Sequence, residues 1–218
     1  MFRDRKDAGE HLARALERYR NKRVIVLAIP RGGVQVGYEV AQYLNAELAI
    51  IITRKLPFPD EPEAGFGAIA EDGSTYLSPY LSQWVSKAVI QRIKEEQQAE
   101  IHRRISVLRE GQPLPEMRGR TVILVDDGIA VGSTMRASIA LCKHQKAEKI
   151  VVAVPVTGKR TAQTMSTLVD DTIILETPPS FHAVAEVYEN WYDVSDREVL
   201  AIMEKYRRES TRIHQGRK

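Results

Sequence analysis

A parallel α/β sheet wrapped by helices is the fold class this sequence predicts, and three observations carry it. Short apolar runs, Val24–Ile29, Val122–Val125 and Lys149–Val154, read as strands buried on both faces. Helical patterns separate these runs, so strand and helix alternate along the chain. Two of the strands lead straight into glycine loops followed by a helix start. That layout sets a ligand site at the carboxyl end of a parallel sheet.

The chain's 218 residues suit one α/β domain, with a core over about 20–176, an insertion over about 56–118 and a C-terminal segment over about 177–208. A hydrophobic fraction of 43% fills a core, and the net charge of +3 announces no wholesale nucleic-acid binder. The single cysteine, Cys142, excludes an internal disulfide and falls in the apolar phase of a helix, as a buried thiol rather than a nucleophile. No apolar run is long enough to span a bilayer, and Phe2–Glu10 is too charged for a secretory leader, so a cytoplasmic protein is expected.

Ala8, Leu12, Ala15, Leu16 and Tyr19 recur at helical spacing, predicting a helix over about 7–19 with Asp7 as its cap. Val24–Ile29 is the first strand. Pro30-Arg31-Gly32-Gly33 turns into a helix over about 34–44, a unit with its own anion-binding potential. Glu47–Thr53 is the second strand and ends on two cations, Arg54 and Lys55. Leu56–Gly67 carries Pro57, Pro59 and Pro62 and reads as neither helix nor central strand. A hairpin of Gly67–Ala70 and Thr75–Leu77 follows, turned by Asp72-Gly73. Ser82–Arg109 is one long helical pattern whose apolar stripe Gln97 interrupts, a surface for core packing or for a homodimer. Gly111–Gly119 returns the chain to the core.

Val122–Thr134 combines a strand, the acidic pair Asp126-Asp127, a loop of small residues with Gly128 and Gly132, and a helical pattern from Met135. Glycines let backbone N–H groups approach an anion, the hydroxyls of Ser133 and Thr134 add donors, and the helix dipole favours a phosphate. Carboxylates repel phosphate but accept from sugar hydroxyls and can meet a hydrated Mg²⁺. The ligand should therefore join a monophosphate to a ribose diol. The glycine spacing fits neither a Walker loop nor a dinucleotide fingerprint.

At these residues the sequence resembles the PRPP-binding signature of the type I phosphoribosyltransferases, and overall it is similar to the poorly assigned bacterial group with a Pro-Arg-Gly-Gly loop. The resemblance implies that family's Rossmann-like fold, with a long-helix insertion and a small C-terminal hood. It implies that Asp126 and Asp127 hold the ribose hydroxyls and serve catalysis, and that Gly128, Ile129, Ala130, Val131, Gly132, Ser133 and Thr134 hold the 5′-phosphate. Val131 departs from the family, which usually has Thr there; Ser133 can supply a hydroxyl from two residues on. Arg31, Gly32, Gly33, Arg54 and Lys55 become the pyrophosphate-binding set, and Mg²⁺ would arrive with PRPP beside Asp126 and Asp127. The implied reaction is transfer of ribose 5-phosphate to a nitrogenous base, nucleobase-like, with release of pyrophosphate. The alternative is a non-catalytic PRPP sensor that binds nucleic acid or a protein partner. A third possibility is a hydrolase or phosphorylase of the same fold acting on another ribose phosphate. The family's flexible loop would fall in the proline-rich stretch, with Glu61 and Glu63 as its candidate acting residues.

Lys149–Val154 is the next strand, followed by a helix over about 159–168 and a strand over 172–175. Asp170-Asp171 precedes that strand and reads as loop solvation. Aromatics gather in Phe181, Tyr188, Trp191 and Tyr192, beside His182. They either supply an acceptor-binding hood, with Phe181 against the base, or form a hydrophobic cluster docking a helix over about 195–206. The basic tail from Lys205 reads as frayed. The five histidines form no close metal spacing, and no nucleophile elbow is present.

Overall fold

The computed structural model describes the backbone of residues 1–215 and the side chains of residues 1–211. In chain order the elements begin with α1 (Arg5–Ala15), β1 (Val24–Ala28), α2 (Gly32–Leu44), β2 (Glu47–Ile50), β3 (Thr53–Phe58), β4 (Glu61–Ala70) and β5 (Thr75–Leu77). They continue with α3 (Lys87–Arg109), β6 (Thr121–Val125), α4 (Ser133–His144), β7 (Lys149–Val156), α5 (Lys159–Ser166), β8 (Asp171–Glu176) and α6 (Asp196–Gln215).

Five strands form a parallel sheet in the order β2-β1-β6-β7-β8. Successive side chains on its central strands enter opposite layers. Val26, Ala28, Ile123, Val125, Val151 and Ala153 cluster with Leu12 and Leu16, with Val36 and Val40 of α2, and with Val199 and Met203 of α6. Ile25, Leu27, Val122, Leu124, Ile150 and Val152 cluster with Met135, Ile139 and Leu141 of α4 and Met165 of α5. Both faces are covered, which is why these strands are continuously apolar. Cys142 is fully buried in the second layer, and burial pushes its thiol up to about 12.

The predicted strand Glu47–Thr53 is corrected: β2 stops at Ile50, and Thr53 opens β3 in a separate antiparallel sheet of order β3-β4-β5. The proline-rich stretch is corrected as well, because Leu56–Gly67 lies mostly in β3 and β4. Pro57 falls at a register shift beside Leu56. Pro62 falls between Glu61 and Gly65, where no residue is paired across the ribbon. Neither proline therefore has to donate to a ladder. The Asp72-Gly73 hairpin turn is present, with Gly73 at φ +85° and the Asp72 carboxylate accepting from the Ser74 N–H at 2.9 Å.

Leu56, Phe66 and Ile69 of this sheet pack in the same core as Ile93, Ile101 and Leu108 of α3. The far end of α3 is tied down by a buried ion pair, Arg109 to Glu71 at 2.7 Å, and by Arg109 donating to the Ile50 carbonyl at 2.9 Å.

Other boundaries move for local reasons. Asp4, not Asp7, caps α1; its carboxylate accepts from the Asp7 N–H at 2.9 Å, and a separate 3-10 turn covers Glu17–Tyr19. A 3-10 turn at Ser82–Trp84 precedes α3, which Ser86 caps. β7 runs through Pro155 to Val156, since the ladder to β6 has already ended at Ala153 and Pro155 has no partner on β8. α2 and α4 each start two residues early, at Gly32 and Ser133, while α5 ends at Ser166. Asp170 and Asp171 are not loop solvation: Asp170 accepts from the Ile150 N–H at 2.7 Å, and Asp171, the first residue of β8, accepts from Tyr19 and Arg18. α6 continues to Gln215, so Lys205–Gln215 is helix rather than frayed tail; residues 216–218 lie outside the described residues.

Candidate active site

From β1 the chain moves through α2 to β2 on one side, and from β6 it moves through α4 to β7 on the other. The strand order thus reverses between β1 and β6, where loops at the carboxyl ends diverge and leave a crevice. Both glycine loops emerge there. Ala28 pairs with Val125, and the Ile29 N–H donates to the Val125 carbonyl at 2.9 Å. The Pro30–Arg31 peptide is cis. Gly32 lies against Asp127 so closely that a Cβ would sit 1.8 Å from its Oδ2, and a Cβ on Gly33 would sit 2.9 Å from the Asp126 Cα. Only glycine allows the two loops to meet this way.

Asp126 and Asp127 follow β6 directly. Asp126 turns back to accept the Asp127 N–H at 2.8 Å. Desolvation by the surrounding protein pushes the Asp126 carboxyl well above the usual carboxylate range, the Asp127 charge adds to this, and Arg5 opposes it. Asp127 is held from two sides. Its Oδ2 accepts from Arg5 Nε at 2.7 Å, and its carbonyl accepts from the Tyr188 hydroxyl at 2.6 Å.

The loop Gly128–Gly132 is laid over the end of β7. Ile129 donates to the Val156 carbonyl at 2.9 Å, and the Thr157 hydroxyl donates to the Ile129 carbonyl at 2.7 Å. Gly132, at φ +84°, forms the N-cap of α4, where a Cβ would collide with Met165 at 2.6 Å. Ser133 and Thr134 occupy the first turn of α4, whose N–H groups the helix leaves unpaired. Ala130 and Val131 form the exposed tip of the loop, Val131 being 74% exposed.

Arg31 is exposed beside Gly32, 3.8 Å from Asp196. Arg54 is half-buried, and its Nε donates to Gln97 Oε1 at 3.0 Å. The polar break in the α3 stripe therefore holds this guanidinium. Burial and then the charge of Arg104 pull Arg54 below its ordinary value, with Arg103 and Arg31 acting in the same direction and Glu100 opposing. Arg31, Arg103 and Arg104 thus lie within electrostatic reach of Arg54, with Glu100 paired to Arg103 and Arg104 and Asp196 beside Arg31. Lys55 alternates to the other face of β3 and donates to the Glu63 carbonyl across the ribbon, so it does not join Arg54.

Phe181 lies against Gly158, beyond β7, where a Cβ would be 3.4 Å from its ring. Tyr188 packs with Phe2 and Val187, and Trp191 with Tyr188, so this segment docks α1 and the acidic loop rather than α6 alone. Among the described residues no three His, Cys, Asp or Glu side chains gather as a metal site. Two carboxylates suit a Mg²⁺ that keeps its waters and is carried mainly by phosphate oxygens. A cavity of about 770 Å³ lies among α1, α2 and α6 and includes none of these residues. No described helix is long and apolar enough to cross a membrane.

Reasoning from the sequence missed Arg5 and Arg104, and it placed Tyr188 among the hood aromatics without its bond to the Asp127 carbonyl. Arg5 carried a signal: it stands in phase with Ala8 and Leu12 on the buried stripe of α1, where a lone cation demands a partner.

A parallel sheet with an acidic pair and glycine loops at its switch point defines an α/β protein with a candidate ligand site at the carboxyl ends of its strands. The phosphoribosyl transferase domain family model matches residues 3–190, and the chain belongs to that family. Two Mycobacterium tuberculosis proteins, Rv0571c and MT0597, whose names provisionally make them phosphoribosyl transferases, are 37% identical over 211 residues. The match covers 96% of this chain and 48% of theirs, so the chain spans about half the length of these relatives. The crystal structure of TT1426 from Thermus thermophilus is 34% identical with a TM-score of 0.80, covering 94% of this chain and 98% of that one. The type I phosphoribosyltransferase fold expected from the sequence is therefore the fold found.

Proposed function

We propose that the protein binds Mg-PRPP and transfers its ribose 5-phosphate to a nitrogenous, nucleobase-like acceptor, releasing pyrophosphate. The observation that carries this reading is the meeting of the Asp126-Asp127 loop with the Arg31–Gly33 loop at the switch point, with Arg31 within electrostatic reach of Arg54. The carboxylates accept the ribose hydroxyls, and Gly128–Thr134 with the N-terminus of α4 hold the 5′-phosphate. The guanidiniums of Arg31 and Arg54 neutralise the departing diphosphate. Lys55 belongs to this set only if the ribbon releases it from Glu63.

Asp126 and Asp127 would hold a hydrated Mg²⁺ arriving with PRPP, and the ion would supply charge neutralisation of the leaving group. The bond from C1 of the ribose to the diphosphate oxygen breaks with its electron pair leaving on pyrophosphate, the acceptor nitrogen bonds to that carbon, and the proton of that nitrogen passes to solvent. No protein nucleophile is required. The residues position the two reactants and hold the leaving group. Phe181, beside Gly158, would offer the acceptor a ring face.

A PRPP-sensing module is the second reading. Val131, exposed at the tip of the phosphate loop without a hydroxyl, favours it. A pyrophosphate-release screen over purine and pyrimidine bases separates the two. Release with one base supports transfer, whereas PRPP binding with no release from any base supports the sensor.

A further inference from the structure

The acidic pair does not stand alone. Arg5 is 4% exposed and uses both ends of its guanidinium, with Nε on Asp127 Oδ2 at 2.7 Å and one terminal nitrogen on the Tyr192 carbonyl at 2.9 Å. Its plane lies over the Trp191 ring, 3.9 Å from the centroid. Tyr188, whose ring is 5.3 Å from that of Trp191, donates to the Asp127 carbonyl. Phe2 and Arg3 pair through their backbone with Val187, Glu189 and Asn190, joining α1 to this segment.

α1 does not need Arg5 in order to dock. Ala8, Leu12 and Leu16 are fully buried, and the backbone pairs at Phe2 and Arg3 hold its start. Nor does a buried ion pair by itself stabilise a fold, since apolar residues of the same volume commonly do as well. What the pair fixes is the direction of one carboxylate, whose Oδ2 lies in the space that a Cβ on residue 32 would fill. Arg5 engages Oδ2 only, which leaves Oδ1 for a ligand hydroxyl.

We propose that Arg5, stacked on Trp191, is the positioning residue that aims Asp127 at a ribose hydroxyl, so that reading of the sugar depends on α1 and the segment Tyr188–Tyr192. This rests on the ribose site proposed above. Arg5 does not touch the sugar and acts through Asp127.

The test is calorimetric titration of ribose 5-phosphate and its 2-deoxy and 3-deoxy analogues into the full chain, the Arg5→Met variant and the Arg5→Lys variant. A hydrogen bond to a correctly placed carboxylate separates ribose from one deoxy analogue by about 10-fold or more. Arg5→Met is expected to erase that preference while leaving affinity for the same deoxy analogue within about twofold. Arg5→Lys should recover part of it, since an ammonium can meet Asp127 but not Tyr192 as well. If Arg5→Met does not fold, Trp191→Leu, which keeps the ion pair but removes the stack, should narrow the same preference several-fold. An unchanged preference in these variants overturns the proposal, as does an equal loss for all three sugars, which marks a merely structural pair. Failure of the unmodified protein to bind any of the sugars instead overturns the ribose site itself.

Discussion

Replacing Gly32 by alanine adds one methyl at the point where the two glycine loops touch. An ideal Cβ there lies 1.8 Å from Asp127 Oδ2, 2.6 Å from its Cγ and 2.7 Å from Arg5 Nε, whereas ordinary contact begins near 3.4 Å. Gly32 needs no positive φ, so the effect is collision rather than backbone strain. The carboxylate must retreat by more than an ångström, and the Arg5–Asp127 hydrogen bond breaks. Breaking a buried pair costs about 3–5 kcal/mol. The Asp127 side chain is 15% exposed and can swing toward water, which selects the lower end. Alanine in place of glycine at a helical position returns about 1 kcal/mol. The net loss is about 2 kcal/mol, or a fall in Tm of roughly 4–8 °C for a chain of this size. Differential scanning calorimetry reads the fall, and titration with ribose 5-phosphate should show at least a 10-fold weaker site. A variant with unchanged Tm and unchanged affinity would refute the claim that the loops are in forced contact.

Arg54→Gln removes a cation crowded by other cations, so Tm without ligand should stay level or rise slightly, while pyrophosphate affinity falls about 10-fold. Thermal shift with and without pyrophosphate checks both halves. Glu100→Gln tests the ion pairs on α3. Arg103 and Arg104 hold the Glu100 carboxyl down to about 2 from an ordinary 4.5. Its folded pKa is depressed, so its stabilisation is present above about 4.5 and lost as pH falls toward 2. The Glu100 side chain is 27% exposed, which limits the effect to about 1 kcal/mol at pH 7. Urea unfolding of the two proteins should differ at pH 7 and converge near pH 2.

The parallel sheet was legible because β1, β6 and β7 are buried on both faces and so carry no polar alternation to confuse their reading. The loop between β6 and α4 was legible as a strand-to-helix turn because an apolar run, an acidic pair and two glycines precede a helical pattern there. The ribbon of β3 and β4 was not. Its prolines argue against strand until the register shifts at Leu56 and the unpaired stretch after Glu61 are known. Long-range partners were equally hidden. Arg5 and Asp127 are 122 residues apart, and nothing near either one announces the other. Gln97 read as a flaw in an apolar stripe, and its purpose emerges only with Arg54 beside it.

The most direct measurement is calorimetric titration of Mg-PRPP into the full chain and into an Asp126→Asn/Asp127→Asn double variant, with folding of both verified by circular dichroism. Micromolar binding that disappears in the double variant is the expected result and places the ribose at the acidic pair. No binding by the well-folded unmodified protein, or equal binding by the double variant, would contradict it.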